Sequence, residues 1–93
     1  MPIDNRIAEV ARALAHPARV RIVRLLLDRE QCIGGDIVDE VGLAQSTVSE
    51  HMRILKQAGI VVAQFERPRV RYALSSEHMG ELAELLGRVR DCC

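Results

Sequence analysis

The apolar residues of this chain leave the helical period at Gly59, and that change restricts the fold more than any other feature. Before it, Val48, Met52 and Leu55 recur at spacings of four and three, the repeat of a helix with one buried face. After it the repeat becomes two. Ile60 to Phe65 and Arg69 to Leu74 are β-branched or alternating and are separated by Glu66-Arg67-Pro68, a tight turn. A helix that runs directly into a hairpin is therefore expected across residues 45–74.

Upstream the helical period holds throughout. Ile3, Ile7, Val10 and Leu14 form one stripe of a first helix. His16-Pro17 interrupts it, and proline suits the first turn of a second helix, where its missing N–H has no partner to lose. Val20, Val23 and Leu27 are expected to line that second helix. Gly34-Gly35 reads as a break, and Asp36 to Val41 as a short third helix closed by Gly42 in a left-handed cap. The turn is Gly42-Leu43-Ala44, and the fourth helix runs from Gln45 to Ala58. From Glu77 the helical period returns, with Met79, Leu82, Leu86 and Val89 on one face and Leu85 widening it. The expected fold is mainly α with a β-hairpin wing: a winged helix-turn-helix of about five helices plus one two-stranded hairpin. Residues 1–93 form a single domain, with the helix-turn-helix over about 34–58, the wing over about 60–74 and the last helix over about 77–91.

With 93 residues there is no room for a separate catalytic domain. No cysteine has a histidine and an acid at a suggestive spacing, and there is no glycine-rich phosphate loop, so an enzyme is not expected. Apolar residues make up 48% of the chain but include only Phe65 and Tyr72 as aromatics, so the core must be aliphatic. Basic and acidic residues balance at 13 each, so any basic surface must be local. Met1-Pro2-Ile3-Asp4 opens no signal sequence and no apolar run suits a membrane span, which leads us to expect a soluble cytoplasmic protein. Three cysteines, two of them adjacent as Cys92 and Cys93, make no disulfide framework and point to reactivity.

At about 100° per residue, the outward face of the fourth helix carries Ser46, Ser49, Glu50, Arg53 and Gln57. In a helix-turn-helix the start of the second helix enters the major groove, which makes Gln45, Ser46, Thr47, Ser49 and Glu50 candidate base readers. Glu50 has two readings, an acceptor for cytosine or a solvated acid. Arg53 and Lys56 are placed to reach phosphates, and Arg67, Arg69 and Arg71 make the wing basic. Arg69 and Arg71 alternate with Val70 and Tyr72, so the wet face of a strand is the competing reading. Tyr72 is expected to pack on the helices and His16 to cap the second helix, while His51 and His78 read as ordinary surface residues. A winged helix that binds protein instead of DNA is the alternative, but it leaves Ser46, Ser49 and Arg53 on one face without a reason.

Three segments carry a resemblance: Ala13-Leu-Ala-His-Pro-Ala-Arg-Val-Arg-Ile-Val-Arg-Leu-Leu-Leu27, Gln45-Ser-Thr-Val-Ser-Glu-His-Met-Arg-Ile-Leu-Lys-Gln-Ala-Gly-Ile-Val61 and Val70-Arg-Tyr-Ala-Leu74. Together they resemble the ArsR/SmtB repressors over nearly the whole chain. The resemblance implies a homodimer that binds double-stranded operator DNA and leaves it when an inducer binds, with no cofactor required for DNA binding. The apolar stripes of the first and last helices agree, since a domain this small cannot bury both alone. A twofold axis would set two recognition helices about 34–36 Å apart, matching one turn of an imperfect palindrome. The wing tip departs from the family: Arg67-Pro68 stands where many similar proteins carry glycine.

The inducer site is read from the same resemblance. Glu30-Gln-Cys-Ile-Gly-Gly-Asp36 is similar to the Cys-Val-Cys region of the arsenical repressors, but Gly34 stands where their second cysteine would be. Asp91-Cys92-Cys93 resembles the vicinal pair of another arsenic-responsive group. Zinc-type chemistry has only His78, Glu77, Glu81 and Glu84 to draw on, so soft thiolate chemistry is preferred. Cys32, Cys92 and Cys93 would then bind trivalent arsenic. Cadmium, lead or mercury at the same thiols, or a cysteine redox or persulfide switch, are the alternatives. A small buried hydrophobe is the competing reading of Cys32.

Overall fold

Pro2 and Pro17, each at the first position of a helix, set where the chain starts its first two turns of order. The computed structural model describes residues 2–29 and 31–93. Helices α1 (Pro2–Leu14) and α2 (Pro17–Arg29) lead into a short strand β1 (Gln31–Ile33). Helices α3 (Gly34–Val41) and α4 (Gln45–Gln57) follow, then the hairpin β2 (Val61–Glu66) and β3 (Arg69–Leu74), and finally α5 (Gly80–Cys92). The expected winged helix-turn-helix is what forms. The Ala18 N–H donates to Nδ1 of His16 at 3.0 Å, so His16 caps α2 as its position suggests.

Strand β1 is the element that the sequence does not announce. It pairs antiparallel with β3, with Cys32 opposite Tyr72, and makes a three-stranded sheet in the order β1-β3-β2. Three residues are too few to show a period of two. Gly34 and Gly35 do not break the chain as expected but form the first turn of α3, two residues before the anticipated start. Their N–H groups lie where a helix has no acceptors for them in any case.

One aliphatic cluster holds the elements together. Ile22, Leu26, Ile37, Leu55, Ile60 and Val61 are its largest fully buried members, joined by Val10, Ala13, Cys32, Val48 and Met52. Each large side chain there contributes about 1.5–3 kcal/mol. Tyr72 packs against the cluster, as expected. The expected inner face of α2 is corrected: Ile22 and Leu26 are buried, whereas Val20 and Leu27 are exposed. Apolar residues surround most of this helix, so its period fits several faces and the contacts with α3 and β3 select one. α5 starts at Gly80, later than expected, and packs on α1, with the Arg6 guanidinium donating to both carboxylate oxygens of Glu81 at 2.9 and 3.1 Å. In the protomer Leu86 and Val89 are 56% and 52% exposed, alongside Leu85 and Ile3.

The junction at Gly59 joins helix and wing by a specific hydrogen-bond pattern. The Gly59 N–H donates to the Lys56 carbonyl and the Ile60 N–H to the Leu55 carbonyl, each at 3.0 Å, while Gly59 adopts φ +76°. This is a Schellman ending, with buried Leu55 and Ile60 as its apolar pair. A Cβ on Gly59 would run into the ring of His78 at Cδ2. Gly59→Ala is thus expected to cost at least about 1–2 kcal/mol from the left-handed backbone alone, with displacement of His78 added. Thermal unfolding followed by circular dichroism should show a melting temperature at least about 4 °C lower, and an unchanged value would contradict this junction.

Candidate nucleic-acid interface and thiol site

The inner face of α4 decides what its outer face presents. Val48, His51, Met52 and Leu55 are buried, and Gln45, Ser46, Thr47, Ser49, Glu50, Arg53 and Lys56 are all exposed. Ala44 precedes the helix without a side-chain cap, so the first N–H groups of α4 keep their capacity to donate to an anion. Glu50 stays exposed in the free protein and is paired with Arg53 on the next turn of the helix. Arg53 donates through Nε to its Oε2 at 3.0 Å and through Nη1 to Gln57 Oε1 at 3.0 Å. The hydrogen bond from Arg53 holds the Glu50 carboxyl below its usual range. A pair this exposed is screened by solvent and weak, so a phosphate can draw Arg53 away at little cost. Lys56 lies with Nζ 5.1 Å from the centre of the Phe65 ring, bridging α4 to the wing.

On the wing, alternation puts Val70 and Tyr72 toward the helices and Arg71 on the opposite face, while Arg69, at the exposed start of β3, borders the same cleft beside α4 as Val70 and Tyr72. Arg71 lies 3.4 Å from Glu66 across the hairpin. Arg67 and Arg69 are exposed beside the turn, and neither has a hydrogen-bond or ion-pair partner among the described residues. The Arg67-Pro68 peptide in that turn is cis. Seven polar side chains of α4 and the two wing arginines thus occur on exposed positions of consecutive elements, while the acids Glu50 and Glu66 are each engaged by an arginine.

The three cysteines fall into two places. Cys32 is buried in β1 at 4% exposure, and burial pushes its thiol pKa up, opposed by nearby Arg29. A protonated, enclosed thiol behaves as a small hydrophobe. Cys92 and Cys93 are exposed at the end of α5 with their Sγ atoms 3.0 Å apart. The hydrogen bond to Cys93 raises the Cys92 thiol. α5 packs on α1 while β1 contacts β3, α2 and α3, so the three thiols are not assembled within one protomer. Among the described residues no group of three metal-ligating side chains comes together.

His51 is the residue that sequence reasoning misplaced. Expected on the surface, it is 8% exposed, with its ring 4.5 Å from that of His16 and Nδ1 without a partner. Its place beside Leu55, at the edge of the arc that Val48, Met52 and Leu55 define, was the available signal, masked by the polar residue type. Burial pushes its pKa down, and His16 and Arg19 push in the same direction against Glu50. His78 stays exposed, as expected.

Residues 16–62 match the family model described as bacterial regulatory protein, arsR family. The HTH-type transcriptional regulator CmtR of Mycobacterium tuberculosis is 40% identical over 87 residues, spanning 89% of this chain and 73% of CmtR. The HTH-type transcriptional repressor SmtB of the same organism is 36% identical over 74 residues, spanning 80% of this chain and 54% of SmtB. The solution structure of the homodimeric winged helix-turn-helix DNA-binding domain of Mb0332 from Mycobacterium bovis is similar at TM-score 0.74 and 30% identity. That likeness covers 94% of this chain and 80% of the other.

The depressed pKa of His51 has a defined consequence for stability. The unfolded chain binds a proton near pH 6.5 that the folded chain binds only at lower pH. The stabilising contribution is therefore complete above about pH 6.5 and is lost as pH falls toward the folded value. Urea unfolding at pH 7.5 and pH 5.5 should show a loss in acid that is smaller in His51→Gln. Equal acid sensitivity in the variant would assign the effect to other groups.

Proposed function

The chain belongs to the ArsR family of bacterial regulatory proteins and is a DNA-binding transcription regulator; on that premise we propose that it is a homodimeric repressor released from its operator by trivalent arsenic. The observation that carries the DNA reading is the exposed set Gln45, Ser46, Thr47 and Ser49 on α4, followed by a wing with Arg67 and Arg69 unengaged. Short polar side chains at the start of the helix suit base edges, and the arginines suit phosphates. Glu50 and Arg53 would read and anchor once their mutual pair opens, with Lys56 and Arg71 adding positive charge behind them. Operator DNA as partner assigns the protein to the cytoplasm. Among the described residues no helix is long and apolar enough to cross a membrane.

Dimerisation is supported by the exposed apolar face of Leu85, Leu86 and Val89 on α5 together with Ile3 on α1. A second copy covers such a face through the same residues, as a twofold interface requires. The inducer reading is supported by two adjacent exposed thiols that can bind one soft centre. Cys32, from either protomer, completes a three-sulfur site only if its β1 opens. Two thiols alone suit a methylated arsenical. The same closeness of Sγ atoms keeps cadmium, lead or mercury, and an oxidant, as rival inputs to this site.

Two measurements test these assignments. Arg67→Ala or Arg69→Ala is expected to weaken binding to all DNA sequences alike and to flatten the salt dependence by about one unit of slope. Gln45→Ala or Ser46→Ala is expected to relax sequence choice instead. Unchanged binding in both sets would contradict the interface. For the inducer, Cys92→Ser and Cys93→Ser should each abolish release by arsenite or methylarsenite, which in the parent lowers operator affinity about five- to 150-fold. Both thiols lose their protons on binding, so the response should weaken as pH falls below neutral. Normal release in both tail variants would overturn the thiol assignment, and loss in Cys32→Ser as well would favour three sulfurs.

A further inference from the structure

A cleft of about 450 Å³ separates the N-terminal half of α4 from the inner face of the wing. Val48 and Met52, both buried, form its floor, with half-buried Val70 and Tyr72 across from them. Its rim is polar. Gln45, Ser49 and Arg69 line it, and none of these side chains has a hydrogen-bond or ion-pair partner among the described residues.

The end wall is Gly34 and Gly35. Neither has φ in the left-handed range, a Cβ on Gly35 would meet nothing within 4 Å, and one on Gly34 would rest 3.6 Å from the Tyr72 ring, an ordinary contact. Backbone geometry therefore requires glycine at neither place, although glycine is less favourable than alanine in a helix. What the pair does is keep side chains out of the cleft.

We propose that this cleft is a ligand site for a small planar aromatic carboxylate, lying between Met52 and Tyr72 with its charge at Arg69 and with Gln45 and Ser49 as donors. Its volume and its apolar floor with few polar groups follow the pattern of small-molecule sites. A thioether and a phenol ring both favour an aromatic guest. The single rim cation sets a single negative charge. The proposal rests on the DNA reading of α4 and the wing: a ligand here occupies Gln45, Ser49 and Arg69 and so excludes the operator, independently of the thiols on α5.

The test titrates the full, DNA-free chain with 2-naphthoate and with uncharged 2-naphthamide, followed by ¹H–¹⁵N correlation spectra. Naphthoate should shift the amides of Gly35, Val48, Ser49 and Val70 with a dissociation constant on the order of 1 mM or tighter, and the amide analogue should bind more weakly. Gly35→Leu, whose side chain enters the open space, should bind naphthoate at least tenfold more weakly while keeping its melting temperature and operator affinity. Naphthoate should raise the apparent operator dissociation constant of the parent and not of Gly35→Leu. Shifts confined to other surfaces, or equal binding by the variant, overturn the proposal. The spectra of the parent decide the case even if the variant fails to fold. Operator binding without any naphthoate shift in the cleft would leave it a seat for a DNA phosphate alone. Naphthoate in the cleft of a protein that binds no operator would sink the DNA reading and keep the site.

Discussion

Burial of Val48, Met52 and Leu55 fixes the rest of the molecule, because a helix has one outer face once its inner face is committed. These residues sit in the same cluster as Ile22, Leu26 and Ile37 from α2 and α3 and Ile60 and Val61 from the wing root. The rotation of α4 and the departure point of the hairpin are thus set by one aliphatic core. Each large buried side chain contributes about 1.5–3 kcal/mol, whereas an exposed ion pair contributes about 0–1. Packing therefore decides where the polar residues go, and the charges adapt to it.

How they adapt explains a basic surface on a chain with no net charge. Glu40 is engaged by Arg29, Glu50 by Arg53, Glu66 by Arg71 and Glu81 by Arg6. Arg67 and Arg69 at the wing have no such acid among the described residues. A neutral total thus coexists with local positive charge where a phosphate backbone would pass. The buried His51 ties the same helix to the start of α2, so acid acts on the mounting of α4 and not on its outer face.

The helices, the turn at Gly42 and the wing were legible because each rests on a local signal: a period, a proline at a helix start, a glycine with positive φ. The outer face of α4 was legible for the same reason, as its arc follows from Val48, Met52 and Leu55. Three features were not. The burial of Ile22 and Leu26 in place of Val20 and Leu27 depends on which neighbours α2 meets, and no residue on α2 states that. Strand β1 exists only because β3 offers it an edge. His51 is buried because its position on the arc outweighs its polarity. The thiols divide along the same line: their adjacency at Cys92 and Cys93 is in the sequence, and the enclosure of Cys32 behind Tyr72 is tertiary.

The most direct test of a dimeric reader with two α4 helices is selection of bound duplexes from a random-sequence pool at fixed salt. The expected result is an imperfect inverted repeat whose half-site centres lie about 10–10.5 base pairs apart or a multiple of that distance. Enrichment of a single unpaired site, or none above the starting pool, would contradict it.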